Sequence, residues 1–204
     1  MIRGQKIILL GDLDEERNGE TAKWRDGESE HCSVAPSPRR PIVVLNMAEI
    51  IPLDQLTNKI EFLRSKNKDL VVVGTNGCFD ILHIGHIKSL QKAKTFGDIL
   101  VVGLNSDSSV KKIKGNSRPI NTENERAEVL AALNCVDIVL IFPEETAERF
   151  LEILRPNIYV KGEEYEVDTL PESQVIRKYG GKIIQIPMIP NVSTTNTINK
   201  LKKN

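Results

Sequence analysis

The chain has 204 residues, 40% of them hydrophobic and 27% charged, and a formal net charge of zero. That length holds one ordinary domain, or one domain with an appendage, and can bury a core without disulfide staples. The neutral balance and an aromatic content of 4% argue against a general nucleic-acid binder or a membrane-surface protein.

Cys32, Cys78 and Cys135 are scattered and odd in number, with no metal-ligand spacing, so neither a zinc site nor a disulfide framework is expected. The apolar run at residues 7–10 is followed at once by Asp12, Asp14, Glu15 and Glu16, too short and too acidic a pattern for a signal peptide. No run approaches the length that crosses a bilayer. A cytoplasmic protein is expected.

Residues 1–45 are expected to be an N-terminal extension. Residues 11–31 carry eight acidic and three basic side chains with few apolar ones, and residues 35–41 read as a Pro-rich linker. Residues 6–10 and 42–45 are candidates for the two strands of a hairpin arm. Residues 46–204 form the expected domain. Leu56, Ile60 and Leu63 share a helical face, and 70–73 is an apolar strand. A helix is expected over 82–96, where Leu82, His86, Leu90 and Ala93 repeat at helical spacing, stopped by Gly97. The strand at 99–104 leads into a long polar connection, 105–121. Thr122 and Glu125 match a capping box for a helix to 133. A strand at 136–142 follows, then a helix opened by Pro143, Glu144 and Glu145 and ending at 154. A strand at 158–160, a helix at 171–179 closed by Gly180 and Gly181, a strand at 182–186 and a last helix to 201 complete the pattern.

Strands that are continuously apolar rather than alternating are covered on both faces. Alternation with helices then predicts an α/β fold with a doubly wound parallel sheet. Such sheets bind ligands beyond the carboxyl ends of the strands, where strand order reverses.

The densest chemistry follows the first such strand. His83 and His86 are two of three histidines in the chain, and sit three residues apart at a helix start. Gly85 between them admits an anion to the backbone N–H groups, and the helix dipole adds positive potential. Asp80 is either a ligand for substrate or Mg²⁺, or the N-cap of this helix. Cys78 reads as a small space-filler rather than a nucleophile. The run from Lys111 to Arg118 is either a flap whose Lys114 and Arg118 neutralise phosphates or a solvated charge run. Asp107 is open between a turn and a sugar or metal contact. Ser193, Thr194 and Thr195 open the last helix, as caps, as an anion cradle, or as both.

Thr75-Asn76-Gly77-Cys78-Phe79-Asp80, His83-Ile84-Gly85-His86, Asn105-Ser106-Asp107, Lys114-Gly115-Asn116-Ser117-Arg118-Pro119, Val160-Lys161-Gly162 and Ser193-Thr194-Thr195-Asn196 stand in order after the expected strands. Together, from about residue 53 onwards, they resemble the heptose 1-phosphate adenylyltransferases of the cytidylyltransferase-like nucleotidyltransferase superfamily. The resemblance implies a Rossmann-like fold and transfer of AMP from ATP to a sugar 1-phosphate, with pyrophosphate released and ADP-heptose formed for lipopolysaccharide. It implies His83, His86 and Lys114 as catalytic residues. Thr75, Asn76, Gly77, Cys78, Phe79, Gly85, Lys161, Gly162, Ser193, Thr194 and Thr195 would hold the nucleotide. Asp80, Asn105, Asp107 and Arg118 would hold the sugar phosphate. Mg²⁺ is the implied cofactor, with its ligands unspecified, and a separate sugar kinase is the implied upstream partner. A homo-oligomer is compatible with the resemblance; nucleic acid and membrane are not expected partners.

Glu163 departs from the glycine expected there in heptose enzymes. Related glycerol-phosphate cytidylyltransferases carry an arginine shortly before the serine, where this chain has Met188, Ile189, Pro190 and Asn191. That difference leans toward the heptose type. The alternatives are a cytidylyltransferase for glycerol 3-phosphate or another alcohol phosphate, and a catalytically silent nucleotide-binding scaffold.

Overall fold

The structure, a computed structural model, describes residues 47–190 and 192–201. The expected arm, with its strands at 6–10 and 42–45, lies outside the described residues. Among the described residues the strands are β1 Glu49–Ile50, β2 Val72–Gly77, β3 Ile99–Asn105, β4 Ile138–Phe142, β5 Ile158–Gly162 and β6 Lys182–Ile186. The helices are α1 Leu56–Lys66, α2 Ile84–Lys94, α3 Asp107–Lys114, α4 Glu123–Ala131, α5 Glu148–Leu154, α6 Pro171–Lys178 and α7 Thr194–Leu201.

The strands pair in parallel in the order β1-β4-β3-β2-β5-β6, the doubly wound α/β sheet that the apolar runs predict. Alternation along each strand feeds two cores. Leu100, Val102 and Leu104 of β3 pack with Leu90 and Ala93 of α2 and Leu130 of α4. Val101 of β3, with Ile138, Leu140 and Phe142 of β4, packs with Leu56 of α1, Phe150 and Leu154 of α5, and Ile176 of α6. Each fully buried aliphatic side chain contributes roughly 1.5–3 kcal/mol, so the two layers fix the sheet from both sides.

Three features differ from the sequence pattern. The polar connection at 105–121 contains α3, which Ser106 caps by accepting from the Ser109 N–H. Its short amphipathic stripe, Val110 and Ile113, is hidden among charges. The helix expected from Pro143 begins at Glu148, because residues 143–147 turn first. β1 pairs just two residues, Glu49 with Ile138 and Ile50 with Val139. An edge strand that short carries no periodicity to read. The capping box of α4 is present as expected: Glu125 returns a carboxylate to the Thr122 N–H at 2.8 Å.

Candidate active site

Successive strands run outward from β2 through β3 to β4, and the next, β5, lies on the other side of β2. The order therefore reverses between β2 and β5, and the crevice opens there. Two cross-strand bonds build its floor. The Thr75 hydroxyl donates to the Val160 carbonyl at 3.0 Å, and the Tyr159 hydroxyl donates to Asn76 Oδ1 at 2.6 Å. The Thr75 hydroxyl thus joins β2 to β5 at the crevice floor. Gly77 ends β2 with the Phe79 ring folded against it.

Phe79 has φ +43°, a left-handed conformation that costs a non-glycine residue on the order of 1 kcal/mol. That turn redirects the chain from β2 toward α2, and the Phe79 ring meets the His86 ring edge-on at 5.2 Å. His83 is extended and caps α2; its Nδ1 accepts a long bond from the His86 N–H at 3.4 Å. The cap expected of Asp80 is therefore supplied by His83, because Asp80 is committed elsewhere. The two imidazoles stack, centroids 3.7 Å apart and planes 16° from parallel. A Cβ on Gly85 would lie 2.9 Å from His83 Nδ1, so glycine is required for the His83 ring to lie where it does. Burial pushes the His86 imidazole down to about 4, and the neighbouring His83 acts in the same direction. Burial also lowers His83. Near neutrality both rings are uncharged, each able to donate one N–H. His86 Nδ1 is buried without a hydrogen-bond partner among the described residues, an orphaned polar atom at the crevice.

Asp80 is 3% exposed, and its Oδ2 has an ion-pair partner but no hydrogen bond among the described residues. Its Oδ1 accepts from the Ile120 N–H at 2.7 Å and the Asn121 N–H at 3.2 Å, while Arg118 Nε stands 2.8 Å from Oδ2. Asp80 thus pins the segment after α3 to the crevice loop, with Arg118 as its ion-pair partner. Lys114 ends α3, exposed and without an ion-pair partner among the described residues. Its charge, with those of Arg126 and Arg118, pulls on the Cys78 thiol, which burial pushes up more strongly. A protonated, half-buried thiol agrees with the space-filling reading of Cys78.

Arg126 is the residue that sequence reasoning missed. Its side chain is 1% exposed, and it donates to the carbonyls of Cys78 at 2.6 Å, Asn105 at 2.8 Å and Asn121 at 3.1 Å. It also meets Asp107 Oδ1 at 2.7 Å. A lone arginine in the helix pattern Glu123 to Ala131 reads as solvent-facing; only the packing turns it inward. Asn105 is buried too, with its amide donating to Ser109 Oγ at 3.0 Å. That bond ties the end of β3 to the first turn of α3.

Lys161 and Gly162 end β5 beside the crevice. The Lys161 side chain is 10% exposed, 3.8 Å from the Glu172 carboxylate, and lies over the Tyr165 ring at 4.8 Å. Burial holds its ammonium below the usual range, with Glu172 working the other way. The start of α7 closes the opposite wall. Ser193 Oγ accepts from the Asn196 N–H at 3.1 Å, Thr194 Oγ1 donates to the Ile81 carbonyl at 3.3 Å, and Thr195 is exposed. A Cβ on Gly85 would be 3.6 Å from Val192, so the starts of α2 and α7 adjoin.

Among the described residues no three His, Cys, Asp or Glu side chains cluster as metal ligands. Asp80 and Asp107 are each held by an arginine. The side chains present therefore do not fit a metal bound by protein groups alone. No described helix is long and apolar enough to cross a membrane.

The cytidylyltransferase-like family model matches residues 74–200. The chain belongs to the cytidylyltransferase-like family. The match takes in every strand from the end of β2 onward. Bifunctional protein HldE of Geotalea uraniireducens is 48% identical over 155 residues, which is 76% of this chain and 31% of that protein. The counterpart from Geobacter metallireducens is 47% identical over 154 residues, again 76% of this chain and 31% of the relative. The chain thus spans about a third of the length of the curated relatives it matches. A lipopolysaccharide core biosynthesis protein of Thermoplasma volcanium, of solved structure, is similar at 29% identity and a TM-score of 0.48, over 59% of this chain and 97% of that one.

Proposed function

We propose that this cytidylyltransferase-like domain, residues 46–204, transfers AMP from ATP to heptose 1-phosphate, releasing pyrophosphate and forming ADP-heptose. The observation that carries this reading is the neutral, stacked His83–His86 pair at the start of α2, beyond the β2 strand end. The similarity to HldE proteins supports the heptose acceptor.

The sugar phosphate oxygen attacks the α-phosphorus of ATP. The bond from that phosphorus to the bridging oxygen breaks, and pyrophosphate leaves with the electron pair. Such a reaction needs positioning and charge neutralisation more than covalent help. His83 and His86 donate N–H groups to triphosphate oxygens, strengthening as charge gathers on the leaving group. Gly77 and Gly85 let the Phe79 and His83 rings lie against the backbone and Gly162 does the same for the Glu164 carboxylate, while Asn76, Cys78 and Phe79 shape the crevice floor and Ser193 to Thr195 its far wall. Lys114 and Lys161 supply cations from opposite sides. Asp107 lines an open hollow with Ser106, Ser108, Lys111, Thr122 and Glu123, and in this reading it takes the sugar hydroxyls. Mg²⁺, carried on the phosphates, would add charge neutralisation. A sugar kinase supplies the acceptor's phosphate. The domain works away from membranes and nucleic acid, in the cytoplasm, and self-association is open to it.

Pyrophosphate release from ATP or CTP, across heptose 1-phosphate, other sugar 1-phosphates and glycerol 3-phosphate, tests the reading. Turnover with ATP and heptose 1-phosphate is expected. Turnover confined to CTP and glycerol 3-phosphate overturns it, and binding without turnover favours the scaffold.

A further inference from the structure

The buried arginine of α4 bonds two of the residues assigned above to substrate, Asp107 through its carboxylate and Cys78 through its carbonyl, without itself facing the crevice opening: its side chain is 1% exposed. Its guanidinium bridges three stretches of chain, at residue 78, residues 105–107 and residue 121. Nη1 reaches the Cys78 carbonyl beyond β2 and the Asn105 carbonyl that ends β3; Nε reaches Asn121 before α4; Nη2 reaches Asp107 at the start of α3.

Two of those bonds bear on reactive groups. The Cys78 carbonyl belongs to the peptide that enters Phe79, the residue held left-handed, and the Phe79 ring braces His86. A left-handed non-glycine residue persists only where its surroundings over-determine it, and the Arg126 bond is one such constraint. The Asn121 carbonyl lies in the segment whose N–H groups, at Ile120 and Asn121, bond Asp80. Asn121 Nδ2 also donates to the Asp80 carbonyl at 2.8 Å. Arg126 and Asp80 therefore grip the same segment from its two sides, and that segment follows Lys114 on the chain.

We propose that Arg126 is a positioning residue for nucleotidyl transfer: it holds the Phe79 turn and the 118–121 segment together, thereby setting His86 and Lys114 at the height of the nucleotide. This rests on the adenylyltransfer reading for its kinetic consequence. The geometry it enforces does not. Lysine cannot replace it, because a point-charge ammonium does not span four acceptors that a planar fork reaches.

The test compares wild type with Arg126→Lys. Amide hydrogen exchange at Ile120 and Asn121 is expected to accelerate by about tenfold or more, while the interior amides of β3 keep their protection. In pyrophosphate release, kcat falls about tenfold or more with a far smaller change in the KM for ATP. Unchanged exchange at Ile120 and Asn121 overturns the proposal. So does a uniform loss of protection that includes β3, which a merely structural arginine would give, or a kcat within about twofold of wild type. If Arg126→Lys does not fold, Arg126→Gln carries the same exchange comparison: its short neutral amide cannot span the Cys78 and Asn121 carbonyls together, and unchanged exchange at Ile120 and Asn121 is equally fatal. A wild-type protein that releases no pyrophosphate refutes the adenylyltransfer reading alone, and exchange still decides whether Arg126 holds the segment.

Discussion

Helices α2 and α3 follow neighbouring parallel strands and begin at the same edge of the sheet, yet their starts have opposite electrostatics. α2 has no acidic residue in its first turn, is capped by an imidazole, and faces the start of α7. α3 begins with Asp107, whose own N–H already bonds the Glu123 carboxylate at 2.6 Å and whose side chain neutralises Arg126. A helix dipole of equal sign stands behind both. What differs is whether neighbouring side chains have already consumed it. The first start suits a polyphosphate. The second suits neutral hydroxyls, and a phosphate there would meet two carboxylates.

Removing the imidazoles should break the contrast most. His83→Ala or His86→Ala is expected to lower kcat for pyrophosphate release by about 10²-fold or more while leaving the melting temperature close to wild type. Near-normal turnover in both would end the proposed mechanism. Gly85→Ala comes next. Its new Cβ would fall 2.9 Å from His83 Nδ1 and push the ring off its stack, so a drop of about tenfold or more in kcat is expected, read in the same assay.

At the other helix, Glu123→Gln should leave the KM for ATP unchanged and raise that for the sugar phosphate by a few-fold. Its direct cost is one weakened hydrogen bond to the Asp107 N–H, about 1 kcal/mol, measurable by denaturant unfolding. A larger effect on ATP than on sugar would reverse the assignment of the two starts.

The smallest effect concerns pH. His86 titrates near 4 in the folded chain against 6.5 for a free imidazole. Between those values the unfolded chain binds more protons, so stability falls as pH drops through that window. The melting temperature should decline accordingly, and His86→Ala should flatten the decline.

Much of the frame was legible because its causes are local. Apolar runs at 70–73, 99–104 and 136–142 mark strands buried on both faces, and Thr122 with Glu125 announces a helix start. The His83–Gly85–His86 spacing, read with the segments that follow it, was enough to point to a phosphate crevice. Asp80 stays open between a cap and a ligand in the sequence, since a carboxylate before a helix looks the same whether it bonds that helix or a segment forty residues away. Arg126 was not legible at all, because its four acceptors come from stretches the sequence keeps apart. Asn105 and Thr75 were placed at the right edge, but their side chains turn out to bond the fold.

By itself the sequence determined the α/β class, the parallel sheet and the position of the imidazole pair at a strand's end, all consequences of periodicity, capping and spacing along the chain. Tertiary structure alone decided that His83 caps α2, that the two rings stack and stay neutral, that α7 opens beside α2, and that an arginine from α4 binds the crevice loop. Those are outcomes of burial and of contacts between distant segments. Neither a side chain's desolvation nor its choice among competing acceptors exists until the sheet has brought them together.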